Sequence, residues 1–314
     1  MTRRGLILFI ALGIAWGIPY LFIKVAVAEL EPAMLVLART GLAAVLLLPL
    51  AFLRKQVWPV LRRWKPMLAY TIVEIVIPWY FLSSAEQRIP SSTAGLLIAA
   101  VPLAGVAVAF FMGRPERLSA VNWVGIGAGM LGVAALVGLD VGGSDLLAVG
   151  EIAFVVIGYA LGPAILARWM SDLPGVGVVA VSLAGAAVIS LPYVLLTGAW
   201  PSAVPSAPTI ASVIVLAVIC SALAFLLMVA LIGEIGPVKA TTITYVNPAV
   251  AVLAGVLILS EPLTIWTVIG FVLVLGGSYL VTKRRRDAAV PTGPEPPAGP
   301  ETPTGPEAAS AKLT

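Results

Sequence analysis

The 314-residue chain contains no histidine and a single cysteine, Cys220. The first absence removes imidazole acid–base chemistry and the commonest transition-metal ligand; the second removes any internal disulfide and any cysteine-built zinc site. No glycine-rich phosphate loop follows a strand pattern, so nucleotide-driven chemistry has no seat. Neither catalytic residues, nor a metal, nor a cofactor is therefore expected. Charge is scarce too: 11% of residues are charged and 60% hydrophobic, with a mean hydropathy of +1.06. A soluble domain carries about 25% charge, so this chain lacks the polar surface to dissolve. The pI near 9.3 hints at nucleic acid, but the basic residues are sorted by loop rather than pooled, and no nucleic-acid partner is expected.

Long apolar runs are what the chain has in quantity. A hydrocarbon core of about 30 Å needs roughly 20 apolar residues of helix. Ten runs of that order lie near 5–28, 32–53, 67–86, 91–112, 120–139, 147–169, 175–197, 209–232, 237–259 and 263–282. They predict an all-α, polytopic membrane protein with ten transmembrane helices and the lipid bilayer as a partner. Pro32, Pro66, the Ser91-Ser92-Thr93 cluster, Ser119 and Thr264 are helix-start signals. The first run, with Arg3 and Arg4 before it and Ala26-Val27-Ala28 after it, has the outline of a signal peptide. Its apolar stretch is longer than such a segment needs, and it reads as a retained helix.

The basic residues give the orientation. With a cytoplasmic N-terminus, inside segments hold Arg3, Arg4, Arg54, Lys55, Arg62, Arg63, Lys65, Arg114, Arg117, Arg168, Lys239 and Lys283 to Arg286, whereas outside loops hold Arg88 alone. Both termini are thus expected on the cytoplasmic side of the cytoplasmic membrane. Residues 287–314 repeat Thr-Gly-Pro-Glu with almost no large apolar side chain, which predicts a disordered cytoplasmic tail.

The chain also repeats itself. "PERLSAVNWVG" at 115–125 returns as "SEPLTIWTVIG" at 260–270, so that Glu116 matches Glu261, Leu118 matches Leu263 and Gly125 matches Gly270; earlier, Pro102 matches Pro248. Two units follow, residues 1–140 and 141–286, of five spans each. An odd number of spans turns the second unit upside down, the arrangement of secondary transporters with a midplane site. The two hinges then fall at opposite faces, with Glu116 and Glu261 near the starts of the fifth and tenth helices, where a carboxylate suits the helix dipole.

"WGIPYLFIK" in the first span, "GRPERLSAVNWVGIGAGMLGVAALV" and "LSEPLTIWTVIGFVLVLGGSYLV" resemble the EamA repeats of the drug/metabolite transporter superfamily. The resemblance covers roughly residues 5–282 and implies ten helices, cytoplasmic termini, and ATP-independent movement of small metabolites or amino acids. The second copy departs from the first: Arg117 is replaced by Pro262, and the opening Trp-Gly by Ile157-Gly158.

Charged residues within a span are functional candidates because they are costly there, on the order of 2.5–3.5 kcal/mol at a helix centre. Arg39 lies about 10 Å below the outer face and Glu74 about 12 Å from the inner one, close enough in depth to pair or to act separately. In the second reading Arg39 attracts an anionic substrate group and Glu74 carries a proton. Glu151, eight residues from Tyr159, is a further proton-coupling candidate. Lys24 fits a snorkelling lysine and is kept as a minor candidate. Trp16, Tyr20, Trp79, Tyr80, Tyr159, Tyr245 and Asn247 complete the expected substrate-binding set. For Asn247 and its threonine-rich surroundings the alternative is interhelical hydrogen bonding; for Trp79 and Tyr80 it is lipid contact. Gly125, Gly129 and Gly277 mark close helix packing. The leading function is a secondary transporter of small organic solutes, exporting them by alternating access and coupled to protons. The alternatives are an intramembrane enzyme, against which the missing histidine counts, and a membrane scaffold or receptor.

Overall fold

The computed structural model describes residues 2–112, 118–137, 145–236 and 240–282. Glu116, Arg114, Arg117, Lys239, Lys283 to Arg286 and the 287–314 tail lie outside the described residues, so the first hinge, part of the charge sorting and the tail are not described. Among the described residues there is no strand.

Among the described residues ten apolar helices of ten residues or more follow one another: α1 (Arg3–Ala26), α2 (Pro32–Leu53), α3 (Trp64–Glu86), α4 (Ser91–Phe111), α5 (Ala120–Ala135), α6 (Leu146–Trp169), α7 (Gly175–Thr197), α8 (Ala207–Ile235), α9 (Thr242–Ile258) and α10 (Ile265–Thr282). Eight are long and apolar enough to cross a membrane; α5 and α9 are shorter. The outward surface agrees with that setting. Leu53, Phe111 and Leu196 are 82%, 85% and 86% exposed, an arrangement that water would oppose and lipid solvates.

Local chemistry sets the ends. Ser119 and Asn122 form a reciprocal cap at the start of α5, satisfying amide donors that the first turn leaves free. Thr264 and Thr267 bond each other across the start of α10. Arg63 makes a two-pronged bond to Asp172 (2.7 and 2.8 Å) and donates to the Trp169 carbonyl, tying the α2–α3 connection to the end of α6.

Five of these helices are irregular, α9 because it opens with a 3-10 stretch, Thr241–Tyr245, before its α-helical part begins at Asn247. α1 is interrupted between Gly17 and Pro19, and α4 between Ile98 and Val101. At the α4 break the Ala99 carbonyl accepts a bond from Ser278 of α10 at 2.8 Å, as irregular backbone inside a membrane requires. α3 and α8 each contain one six-residue π turn, Thr71–Val76 and Val218–Leu223. These occupy the same place in the third helix of each half of the chain. In α3 the turn precedes Pro78, which has no amide to offer the Glu74 carbonyl. In α8, Ser221 Oγ instead donates back to the Leu216 carbonyl at 2.8 Å.

Helices pair like with like. α2 packs on α7, α4 on α9 and α5 on α10, while α1 packs on α8 as α6 does on α3. The like pairs run antiparallel. Along α5 and α10, Asn122 bonds the Leu280 and Val281 carbonyls, Gly129 meets Gly277, and Leu136 meets Gly270. Along α4 and α9, Ser91 faces Gly255 and Gly95 faces Ala251. Gly41 of α2 faces Ala187 of α7, and Gln56, just beyond α2, faces Gly177 near the start of α7. The glycines are what let α5 and α10 touch: a Cβ on Gly277 would lie 2.5 Å from both the Gly125 carbonyl oxygen and the Gly129 nitrogen. Small residues at a membrane-helix interface permit this approach and the dispersion contact it brings.

Candidate functional site

The centre of the site is Arg39, a guanidinium 6% exposed on α2. Its Nε donates to Ser221 Oγ at 2.9 Å, so the α8 π turn presents the hydroxyl that receives it. Its guanidinium carbon lies 3.6 Å from the centre of the Trp79 ring, a cation–π stack. Among the described residues, no carboxylate forms an ion pair with Arg39. A buried cation held by one hydroxyl and one ring face retains much of its positive field. Tyr20, Tyr159, Cys220 and Glu86 lie within that field.

Glu74 is in the other π turn. It does not pair with Arg39. Its Oε2 is shut off from solvent and has no hydrogen-bond partner, and it occupies the space left open by Gly162 of α6: a Cβ there would overlap the carboxylate. Tyr159 of α6 links the two regions, lying in the fields of both Glu74 and Arg39 and packing against the buried cluster that holds Trp79. Arg39, Glu74, Trp79, Tyr20 and Tyr159 are thus one neighbourhood on α1, α2, α3 and α6.

The other expected residues are dispersed. Glu151 is in an ion pair with Arg88 and accepts from Ser84 at 2.9 Å, so it and Tyr159 serve different surroundings. Tyr80 turns from Trp79 towards Tyr193, with ring centres 6.1 Å apart. It lines an open cavity of about 290 Å³ with Glu31, Ala33, Tyr193, Thr197, Gly198 and Ala199. Trp16 packs edge-on against Phe225. Tyr245 bonds the Ser278 carbonyl and Thr282 and stacks edge-on with Tyr279, at the end of α10. Asn247, beside the break in α1 at Gly17, keeps a buried Oδ1 without a partner. Lys24 does not snorkel freely: its ammonium donates to the Glu86 and Ile89 carbonyls.

Two acidic residues emerge that span-by-span reading leaves aside or places differently. Glu86 closes α3 and is fully buried, with both carboxyl oxygens unpartnered. Glu261 stands just before α10, as the hinge repeat predicts, yet its carboxylate serves another helix. It accepts the Ser91 and Ser92 amides at the start of α4, at 2.7 and 3.0 Å. The helix-dipole expectation holds in kind, but for the wrong helix. Burial alone would push the Glu261 carboxyl up; these hydrogen bonds outweigh it and hold the group below the usual carboxylate range.

The sequence matches the model of the EamA-like transporter family twice, over residues 3–138 and 147–283. It is 30% identical over 287 residues to the "Uncharacterized inner membrane transporter YedA" of Escherichia coli K12, covering 86% of this chain and 90% of the relative. To the "Uncharacterized transporter YvbV" of Bacillus subtilis it is 26% identical over 309 residues, covering 93% and 96%. A solved crystal structure superposes with a TM-score of 0.62 at 19% identity, over 90% of this chain and 97% of the other, a likeness of fold.

Proposed function

The chain belongs to the EamA-like transporter family and is a multi-pass inner-membrane transporter, and from that premise we propose that it is a secondary active transporter exporting small organic solutes. Two five-helix repeats, residues 1–140 and 141–286, would rock about the midplane with both termini cytoplasmic and the 287–314 tail as a cytoplasmic extension. The antiparallel pairing of equivalent helices supports this reading, because repeats related by an axis in the membrane plane must meet that way.

The observation that carries the chemistry is Arg39, a buried cation without an acidic partner among the described residues. It is the natural counter-charge for a substrate carboxylate or other anionic group, with Trp79, Tyr20 and Tyr159 supplying apolar and hydroxyl contact. Glu74 is the proton carrier. A carboxyl packed against Gly162 with an unpartnered oxygen is better tolerated neutral than charged, and Tyr159 connects it to the substrate position. Solute entry would therefore be felt at Glu74 without direct contact.

The test is flux in proteoliposomes holding the purified chain, using a mixture of amino acids, organic acids and apolar drugs under an imposed pH gradient. Uphill movement of an anionic or zwitterionic solute, lost on collapsing the gradient, is the expected result. A folded protein that moves none of these classes would overturn the reading.

A further inference from the structure

The corner between α3 and α4 is gripped by two charges of opposite sign. Lys24 of α1 donates from Nζ to the carbonyls of Glu86 (2.5 Å) and Ile89 (3.0 Å), a cation at the negative end of α3. Glu261, from the α9–α10 connection, takes the Ser91 and Ser92 amides, an anion at the positive end of α4. One grip comes from the first half of the chain and the other from the second. Together they brace the α3–α4 corner from two sides.

Within the corner sits Glu86, fully buried, with neither carboxyl oxygen bonded; the Ser91 hydroxyl is also buried and unpartnered. An ionised carboxylate left so is costly, and the uncharged acid is the form these surroundings accommodate. The charged and titratable groups around it are Lys24 and Tyr20 on α1, Arg39 on α2, Tyr159 on α6 and Glu261 on the α9–α10 connection. Lys24 is the only ammonium among them, and it is already bonded to the main chain of Glu86.

We propose that Glu86 is a proton-binding residue that latches the α3–α4 corner, a second proton site distinct from Glu74. With Glu86 protonated, Lys24 stays on the two carbonyls and Glu261 on the two amides, and the corner is closed. When Glu86 gives its proton to water, the new carboxylate draws the Lys24 ammonium off the carbonyls and repels the Glu261 carboxylate. Both grips weaken in the same step, and the mouth at that end opens. The proposal needs no particular solute and no role for Glu74, so it is read by accessibility rather than by flux. A null result for transport would leave it standing, and its own failure would leave the transport reading standing.

The experiment uses the full chain in nanodiscs with Cys220 replaced by alanine and Ser92→Cys, a buried position in the grip, as reporter. Its rate of labelling by a charged maleimide is divided by that of an exposed cysteine at Ser202, which corrects for the reagent, and the same reporter in Glu86→Gln supplies the local thiol's own pH dependence. The normalised rate should rise with pH by up to about tenfold per unit, the limit for linkage to one proton. Glu86→Gln should stay slow at every pH, Lys24→Met fast at every pH, and Glu86→Asp should keep a sigmoid at a displaced midpoint. A flat profile in the parent, or a Glu86→Gln profile that follows the parent's, overturns the proposal. Should Glu86→Gln fail to fold, Lys24→Met decides alone: a pH profile like the parent's sinks the latch.

Discussion

The two π turns, Thr71–Val76 in α3 and Val218–Leu223 in α8, are the same backbone device put to different chemical use. In the first, a proline lies just beyond the turn, and the turn carries an acid, Glu74, into the space beside Gly162. In the second, a serine bonds back to the Leu216 carbonyl and offers its oxygen to Arg39. The scaffold repeats; the charge does not. A π turn leaves one residue in excess of the helical repeat and redirects side chains locally. Two such turns therefore place an acid and a hydroxyl near a shared centre without any sequence likeness between them. A duplicated fold need not have a duplicated site.

Breaking that asymmetry should have graded consequences. Arg39→Leu removes the cation that the Ser221 turn supports, and should raise the half-saturation concentration for an anionic substrate by about ten- to a hundredfold, the range of one charge-assisted hydrogen bond. Uptake titrations in proteoliposomes read this directly, and an unchanged value removes Arg39 from the substrate site. Glu74→Gln should flatten a pH dependence that in the parent changes by up to about tenfold per unit, while solute exchange without a gradient continues; a pH profile that survives ends the proton role. Ser221→Ala should weaken binding about two- to fivefold, the scale of a single hydrogen bond of modest net worth, because Trp79 still holds the guanidinium. An effect as large as that of Arg39→Leu would mean that the second turn does more than position Arg39.

The smallest effect belongs to Glu261. Its carboxyl is held below its ordinary range in the folded state, so the stability it confers is present above the unfolded-state value and is lost as pH falls through the folded one. Glu261→Gln should lower Tm by a few degrees near neutrality and remove part of the acid-side decline. A Tm–pH curve parallel to the parent's would show that the bonds to Ser91 and Ser92 contribute no pH-dependent stability.

The helices could be read in the sequence because long apolar runs have few alternatives in lipid. Pro32 and Leu53 bound α2, and Gly175 and Thr197 bound α7, as the runs predict. What one dimension hides is azimuth. Depth put Arg39 and Glu74 close together, but they face different neighbours, and only the packing of α6 and α8 decides which. Tyr245 and Asn247 are two apart in sequence, yet one serves the end of α10 and the other lies beside Gly17 of α1. Glu151 read as a lone charge because its partner Arg88 is far along the chain. Glu86 was invisible for a different reason: at the last residue of a span it looks interfacial, and only the corner over it shows that it is buried. The π turns carry no residue-type signature at all, since their hydrogen bonds belong to the backbone.

Gly41 faces Ala187 across the α2–α7 seam, each near the other's counterpart in the repeat. Contacts of that kind join the two halves across the seam. The protein should accordingly be severable: residues 1–140 and 141–314, made as two polypeptides in one cell, should find each other in the bilayer and co-purify as a working pair. The covalent join then sets stoichiometry and leaves the assembly to the helices themselves.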